Sequence, residues 1–201
     1  MNTTAKPPRT IVDADTASAR ILDAAETLFY REGSRNVGVD AVVREAGVNK
    51  MSLYRQFSSK DELLRRYLQR RDDRFWGYVD ASLERHPHDA AAALRQFFTD
   101  LAERAGNPAY RGCPFVNIAV EYPERDHFAR IFVADNKQQL LQRLTTLASQ
   151  AGARDPAALA KGLALLIEGA YAASQTYAAD TGLLAALPMT ADSLINTALL
   201  S

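Results

Sequence analysis

A short stretch of the chain combines positive charge with several hydrogen-bond donors. Its polar side chains are those of Lys50, Ser52, Tyr54 and Arg55. On a helical wheel with Leu53 at the centre of the inner side, Met51 and Arg55 fall nearly opposite and Ser52 and Tyr54 fall at the sides. Such an outer face suits a nucleic-acid groove, because ammonium and hydroxyl groups bind phosphates and a guanidinium can fork onto guanine.

Two short helices separated by a glycine turn are predicted around this stretch. The first has apolar residues spaced for one helical face, at Val39, Val42, Val43 and Ala46. Gly47 then ends it, where a positive φ angle costs least, and Asn49 is a good N-cap for the second helix. Leu53 and Phe57 lie one turn apart on the inner side of that helix. The pattern predicts a helix-turn-helix.

The stretch AGVNKMSLYRQFSSKDELL resembles the signature of the TetR family of bacterial transcriptional regulators. The residues that match in order and spacing are Gly47-Val48, Leu53-Tyr54, Phe57 and Ser59-Lys60-Asp61-Glu62-Leu63. A second stretch, RGCPFVNIAVEYPERDHF at residues 111–128, is similar to a segment common in the regulatory domains of one branch of that family. The resemblance spans most of the chain and implies an all-α protein. It would have an N-terminal three-helix DNA-binding domain and a larger C-terminal helical ligand-binding and dimerisation domain.

The resemblance and the helical wheel together predict a DNA-binding set. Lys50, Tyr54 and Lys60 are expected to meet phosphates, whereas Met51, Ser52 and Arg55 are expected to face base edges. The full set is Gly38, Val39, Asn49, Lys50, Met51, Ser52, Tyr54, Arg55 and Lys60. Two positions depart from the family pattern. Gly38 stands where Thr or Ser is usual, so only backbone N–H groups can contact a phosphate there, and Gln56 stands where His is frequent.

Charge is distributed unevenly along the 201 residues, although the formal net charge is zero. Residues 1–71 hold 13 Lys and Arg against 9 Asp and Glu, a charge of +4, and the other 130 residues hold 11 against 15, a charge of −4. This asymmetry is expected if only the N-terminal part approaches phosphates. A single cysteine, no evident signal peptide and no apolar run of about 18 residues together predict a cytoplasmic protein without a membrane partner.

Three segments are expected along the chain: a flexible arm at residues 1–15, the DNA-binding domain at 16–62 and the regulatory domain at 63–201. The predicted helices cover residues 16–32, 39–46, 49–56, 59–85, 89–105, 124–150, 157–177 and 191–200, with a short apolar segment at 112–123. The helix at 157–177 is apolar on nearly every side, so more than one face must be covered.

Two partners besides DNA are expected. A single recognition helix reads only a few base pairs, so a homodimer on a near-palindromic operator is predicted, paired through helices 157–177 and 191–200 as in TetR-like proteins. The protein is expected to be a repressor that a small apolar or aromatic effector releases from its operator. The candidate contacts of the effector are Phe97, Phe98, Leu101, Cys113, Phe115, Phe128, Phe132, Tyr171 and Gln175.

Several alternatives remain open at this stage. The same helix-turn-helix could serve a ligand-independent DNA-binding or DNA-organising protein, which a filled core would favour. Cys113 is either a packing residue or a redox sensor. His86 and His88 fit a loop or a metal pair, and no metal or cofactor is expected. Of acid–base groups for an enzyme, only His127 near Glu121 and Glu124 is arguable, and no catalytic motif accompanies it.

Overall fold

In the computed structural model, residues 13–178 and 181–200 are described, and their regular structure is helical. The helices are α1 (Ala14–Glu32), α2 (Val39–Glu45), α3 (Lys50–Gln56), α4 (Lys60–Leu83), α5 (Ala90–Ala105), α6 (Pro114–Glu121), α7 (Phe128–Gln150), α8 (Pro156–Thr176) and α9 (Leu187–Leu199), with a 3₁₀ turn at Leu184–Ala186. The predicted all-α fold is therefore confirmed. Contacts divide the chain into two compact units, and the boundary between them along the chain falls after Tyr67, within α4.

In the first unit, α1 packs against both short helices, α2 and α3. Its apolar stripe includes Ile21 and Phe29, which are buried, and the Phe29 ring meets the Tyr67 ring edge-on at 5.5 Å between centroids. Tyr67 belongs to the N-terminal part of α4, so that part of α4 closes the same core. Two seven-residue helices are too short to persist alone, and packing on α1 supplies the stability they lack.

Three predicted helix boundaries were wrong. α1 begins at Ala14 because Asp13 is its cap and accepts a hydrogen bond from the Thr16 N–H at 2.9 Å, so part of the expected arm is helical. The arm's residues 1–12 lie outside the described residues. α7 begins at Phe128, four residues later than expected, because the ring of His127 caps it by accepting from the Ala129 N–H. α9 begins at Leu187, before the predicted residue 191, since Pro188 fits the first turn of a helix.

The second unit is built on α5, α7, α8 and α9, which pack against one another. Polar side chains join α5 to α9. The Arg95 guanidinium on α5 donates to the carboxylate of Asp192 at 2.6 Å and to the side-chain oxygen of Asn196 at 2.7 Å, both on α9. The short apolar segment of the sequence contains α6, which packs against α7 and buries Phe115 and Ile118.

Helix α8 is long and apolar enough to cross a membrane by length and composition, the one such helix among the described residues. In the second unit it packs against α7 and α9 instead, and buries Leu163 and Ile167 there. Its opposite side is uncovered in the single chain, where Leu165 is 74% exposed.

Candidate functional site

The turn between α2 and α3 has the geometry that a helix-turn-helix requires. Gly47 adopts a φ of +65°, its N–H donates to the Arg44 carbonyl, and the Val48 N–H donates to the Val43 carbonyl at 3.1 Å. These two bonds form a Schellman motif, which ends α2 and redirects the chain. Glycine is favoured at position 47 because other residues are strained in the left-handed region.

Helix α3 then starts at a defined residue and turns one face inward. The Asn49 side chain caps it by accepting a hydrogen bond from the Ser52 N–H at 2.8 Å. Leu53 is completely buried and Phe57 nearly so. These anchors fix the rotation of α3 about its own axis, so its outward face is set by sequence spacing.

The outward face of α3 carries the side chains predicted to read DNA. Met51 is 66% exposed and Tyr54 is 48% exposed, and Arg55 is also exposed. Ser52 is half-buried at the side, as its wheel position implies. A short helix with a buried anchor and an open polar face can enter a major groove.

Lys50 has a partner that the sequence did not reveal. Its Nζ lies 2.9 Å from Oδ1 of Asp40, in the first turn of α2. Hydrogen bonding to this carboxylate, together with its charge, raises the pKa of Lys50 above its ordinary value. The Lys50 ammonium, which was predicted to contact a phosphate, is thus paired within the protein with Asp40, a residue outside the predicted DNA-binding set.

The N-terminus of helix α4 is capped by two reciprocal hydrogen bonds. The Ser59 hydroxyl accepts from the Glu62 N–H at 3.1 Å, and the Glu62 carboxylate accepts from the Ser58 N–H at 2.7 Å. The two hydrogen bonds from Ser58 lower the pKa of Glu62. Lys60 donates to the Arg35 carbonyl in the α1–α2 connection at 3.2 Å, which holds its ammonium near the start of α4.

Gly38 and Val39 stand at the start of α2. Gly38 is its N-cap, exposed and without a side-chain cap, and its carbonyl accepts from the Ala41 N–H at 3.1 Å. Val39 is half-buried. The nine residues predicted to meet DNA therefore all belong to the first unit; eight lie on or beside its short helices α2 and α3, and Lys60 lies at the start of α4.

Comparison with known proteins agrees with this architecture. Residues 21–67 match the family model described as bacterial regulatory proteins, tetR family. The crystal structure of a TetR-family transcriptional regulator from Streptomyces coelicolor superposes with a TM-score of 0.87 at 30% identity, over 92% of this chain and 97% of that one. The chain belongs to the TetR family.

Two further proteins are similar to this TetR-family chain at lower identity or over less of their length. An uncharacterised HTH-type transcriptional regulator from Mycobacterium tuberculosis is 31% identical over 93 residues, 46% of this chain and 46% of that protein. The match thus spans less than half of that curated relative. CifR, solved with a 26 bp double-strand operator DNA, shares the fold with a TM-score of 0.71 at 18% identity, over 94% of this chain and 98% of that one.

The residues predicted to bind an effector all lie in the second unit. Six of them are buried, namely Phe97, Phe98, Leu101, Cys113, Phe115 and Tyr171. Phe115 stacks on Phe132, which is half-buried like Phe128. Gln175 is exposed, and its amide donates to the Tyr110 carbonyl at 3.2 Å. Their role as ligand contacts stays a prediction.

A polar cluster at Cys113 and Tyr171 was missed by the sequence analysis. The Lys137 ammonium lies 2.6 Å from the Glu168 carboxylate, 3.9 Å from the Cys113 sulfur and 5.1 Å from the centroid of the Tyr171 ring. Burial raises the pKa of the Cys113 thiol and raises that of Tyr171 well above its usual value. Lys137 and Glu168 come from α7 and α8, so no local pattern linked them to Cys113.

A cavity of about 490 Å³ opens elsewhere in the second unit. It lies between the last turns of α5 and α8 and the segment at residues 181–185. Tyr110, Ser174 and Tyr177 line it, together with the exposed carboxylate of Glu103. Its volume falls within the range of about 300–1,000 Å³ that small-molecule sites occupy.

Proposed function

We propose that this TetR-family protein is a homodimeric DNA-binding repressor that a small apolar or aromatic molecule releases from its operator. The observation that carries the proposal is the split of α3 into a buried face, anchored by Leu53, and an open face presenting Met51, Tyr54 and Arg55. An α3 turned inward would have left nothing to enter a groove. The operator complex of CifR, a protein of the same fold, supports a duplex as the partner.

The proposal divides the exposed residues by role. Lys50, Tyr54 and Lys60 contact backbone phosphates, which sets position and affinity but not sequence preference. Arg55 contacts a base edge and sets preference at that base pair. Gly38 contributes only its backbone N–H, because it has no side chain to reach a phosphate.

These roles are separated by two substitutions. Arg55→Ala is expected to reduce discrimination between operator and random DNA by about 1–3 kcal/mol. Lys60→Ala is expected to weaken binding to both duplexes by the same factor and to reduce the salt dependence. Fluorescence anisotropy on the two duplexes across a salt series measures both effects. If each variant binds both duplexes as the wild type does, the division of roles fails.

Dimerisation is proposed through α8 and α9. Besides Leu165, the side chains of Met189 and Leu194 on α9 are 68% and 38% exposed, so both helices present apolar side chains to solvent. Burying these side chains against a second copy would contribute about 25 cal/mol for each Å² removed from water. A dimer also places two reading helices about 34–36 Å apart, as successive major grooves require.

The dimer is tested by introducing a charge into the proposed interface of α8 and α9. Leu165→Lys is expected to give a monomer in sedimentation equilibrium at micromolar concentration. Val120→Lys, a matched control on the equally exposed Val120 of α6, is expected to leave the dimer intact. A Leu165→Lys protein that sediments as the wild-type dimer would locate the interface elsewhere.

Release by an effector is proposed to act on the dimer's conformational equilibrium. A molecule that binds one state more tightly shifts the population toward it, and with it the separation of the reading heads. The cavity of about 490 Å³ provides room for such a molecule. If no molecule binds in that cavity, the alternative of a ligand-independent DNA-binding protein is favoured.

The DNA immediately upstream of the protein's own coding region is the first operator to test. A gel shift is expected there, and apolar aromatic compounds are then screened for those that abolish it. A cytoplasmic location accords with this role. A shift that no compound relieves would favour the ligand-independent alternative, and no shift would count against the proposed regulation.

A further inference from the structure

Asp40 opposes the positive charge of the helix-turn-helix surface. It lies in the first turn of α2, two residues after Gly38, and its side chain is 76% exposed. Its Oδ1 accepts from Nζ of Lys50 at 2.9 Å, and the Lys50 side chain is itself 53% exposed. An open carboxylate at this position repels phosphates that approach α3.

We propose that Asp40 is an electrostatic brake on DNA binding. It holds Lys50 in an ion pair within the protein, and this pair is exchanged for a lysine–phosphate contact when a duplex is bound. The inference rests on the phosphate role of Lys50 in the proposed function. Asp40 is thereby assigned a part in DNA affinity although it makes no attractive contact with DNA.

The exchange is physically feasible because both partners are open to water. An exposed pair of this kind is worth little, and a lysine ammonium on its flexible stem can turn to a new partner without moving the backbone. DNA phosphates present a higher density of negative charge than one carboxylate. The Lys50–Asp40 ion pair can therefore break when a duplex binds. Breaking it still reduces the contribution of Lys50 to DNA affinity.

The brake reduces affinity in two ways. Separating Lys50 from Asp40 removes an interaction present in the unbound protein, and the released carboxylate remains close to phosphates. That carboxylate also attracts a cation from solution, which offsets part of the counterion release that drives binding. Because backbone contacts carry no sequence information, the brake acts equally on operator and random DNA.

Removing the carboxylate should strengthen binding. Asp40→Asn is expected to bind both the upstream duplex and a random duplex about two- to five-fold more tightly, with a steeper salt dependence. Asp40→Ala is included because an Asn oxygen can still accept from Lys50. The matched control is Glu45→Gln, which removes the same charge from an exposed residue at the other end of α2.

A double-mutant cycle tests whether Asp40 lowers DNA affinity through its ion pair with Lys50. Lys50→Gln is expected to lower the salt slope by about 0.9, and in that background Asp40→Asn should bring no gain beyond that of Glu45→Gln. Anisotropy on the full chain gives each affinity, and circular dichroism confirms that the variants fold. The brake is overturned if Asp40→Asn and Asp40→Ala match Glu45→Gln, or if their gain persists without Lys50.

Failure of the brake is distinguishable from failure of the proposed function. If Arg55→Ala and Lys60→Ala behave as proposed while the Asp40 variants match their control, only the brake is overturned. If the wild-type protein binds neither duplex even at low salt, the proposed function fails and the brake fails with it.

Discussion

The Nζ of Lys137 lies 2.6 Å from Oε1 of Glu168, so a cation of α7 and an anion of α8 pair beside the buried thiol of Cys113. The ammonium lowers the pKa of that thiol, but burial raises it by more. Cys113 is therefore a neutral thiol at physiological pH. Its surroundings argue against an activated thiolate, since the nucleophile in cysteine chemistry is the thiolate.

The first prediction concerns the reactivity of this thiol. In the native protein, Cys113 is expected to react with a disulfide reagent only at higher pH than free cysteine, and more slowly than in the urea-unfolded chain. Lys137→Met should move the native profile further upward in pH, because it removes the cation that favours the thiolate. The measurement is the rate of release of the chromogenic thiol between pH 7 and 10. A native profile equal to that of free cysteine would contradict this assignment.

The second prediction separates the anchor of α3 from its exposed face. Leu53→Ala is expected to destabilise the first unit by about 2–5 kcal/mol, because the removed side chain is completely buried. Met51→Ala is expected to change stability by less than about 0.5 kcal/mol, because Met51 is mostly in solvent. Urea unfolding followed by circular dichroism compares the two. Similar losses from both substitutions would mean that α3 is not oriented as described.

The third prediction follows from the cap of α4. Because the pKa of Glu62 is lowered in the folded protein, its stabilisation is complete above the unfolded pKa of about 4.3 and is lost as pH falls through the lower folded pKa. Glu62→Gln should therefore be less stable than the wild type at pH 7, and the difference should shrink below pH 4. Urea midpoints between pH 7 and 3 give the result, and a difference independent of pH would exclude the cap as its source. Asp13, whose pKa is also lowered, remains in both proteins.

The fourth prediction compares two glycines of the helix-turn-helix. Gly47→Ala should lower the free energy of unfolding by about 1 kcal/mol, because the φ of +65° is strained for a residue with a Cβ. A steric clash does not contribute, because no other atom lies within 4 Å of the added Cβ. Gly38→Ser should stabilise α2 by about 0.3 kcal/mol, because its backbone is already extended and a serine hydroxyl can cap the helix. The same hydroxyl is expected to tighten binding to every duplex. Thermal unfolding measures the stability of both variants, and anisotropy measures their DNA affinity. A destabilised Gly38→Ser protein would mean that a serine hydroxyl at position 38 does not cap α2.

Local signals in the sequence were sufficient for the helix-turn-helix. Gly47, Asn49 and Leu53 act through hydrogen bonds and packing within a few residues, so their spacing predicted the turn, the cap and the inward face. Helix ends with less usual caps were predicted poorly. His127 caps α7 through its ring nitrogen, which residue preferences do not indicate.

The sequence by itself determined the helix-turn-helix, the family and which side of α3 faces solvent, because these depend on interactions between near neighbours along the chain. Only the tertiary structure decided which charges meet. Asp40 on α2 pairs with Lys50 on α3. Lys137 on α7 pairs with Glu168 on α8, and these two residues are 31 positions apart in sequence. Such pairs depend on how helices are placed side by side, and that placement comes from packing of the whole core.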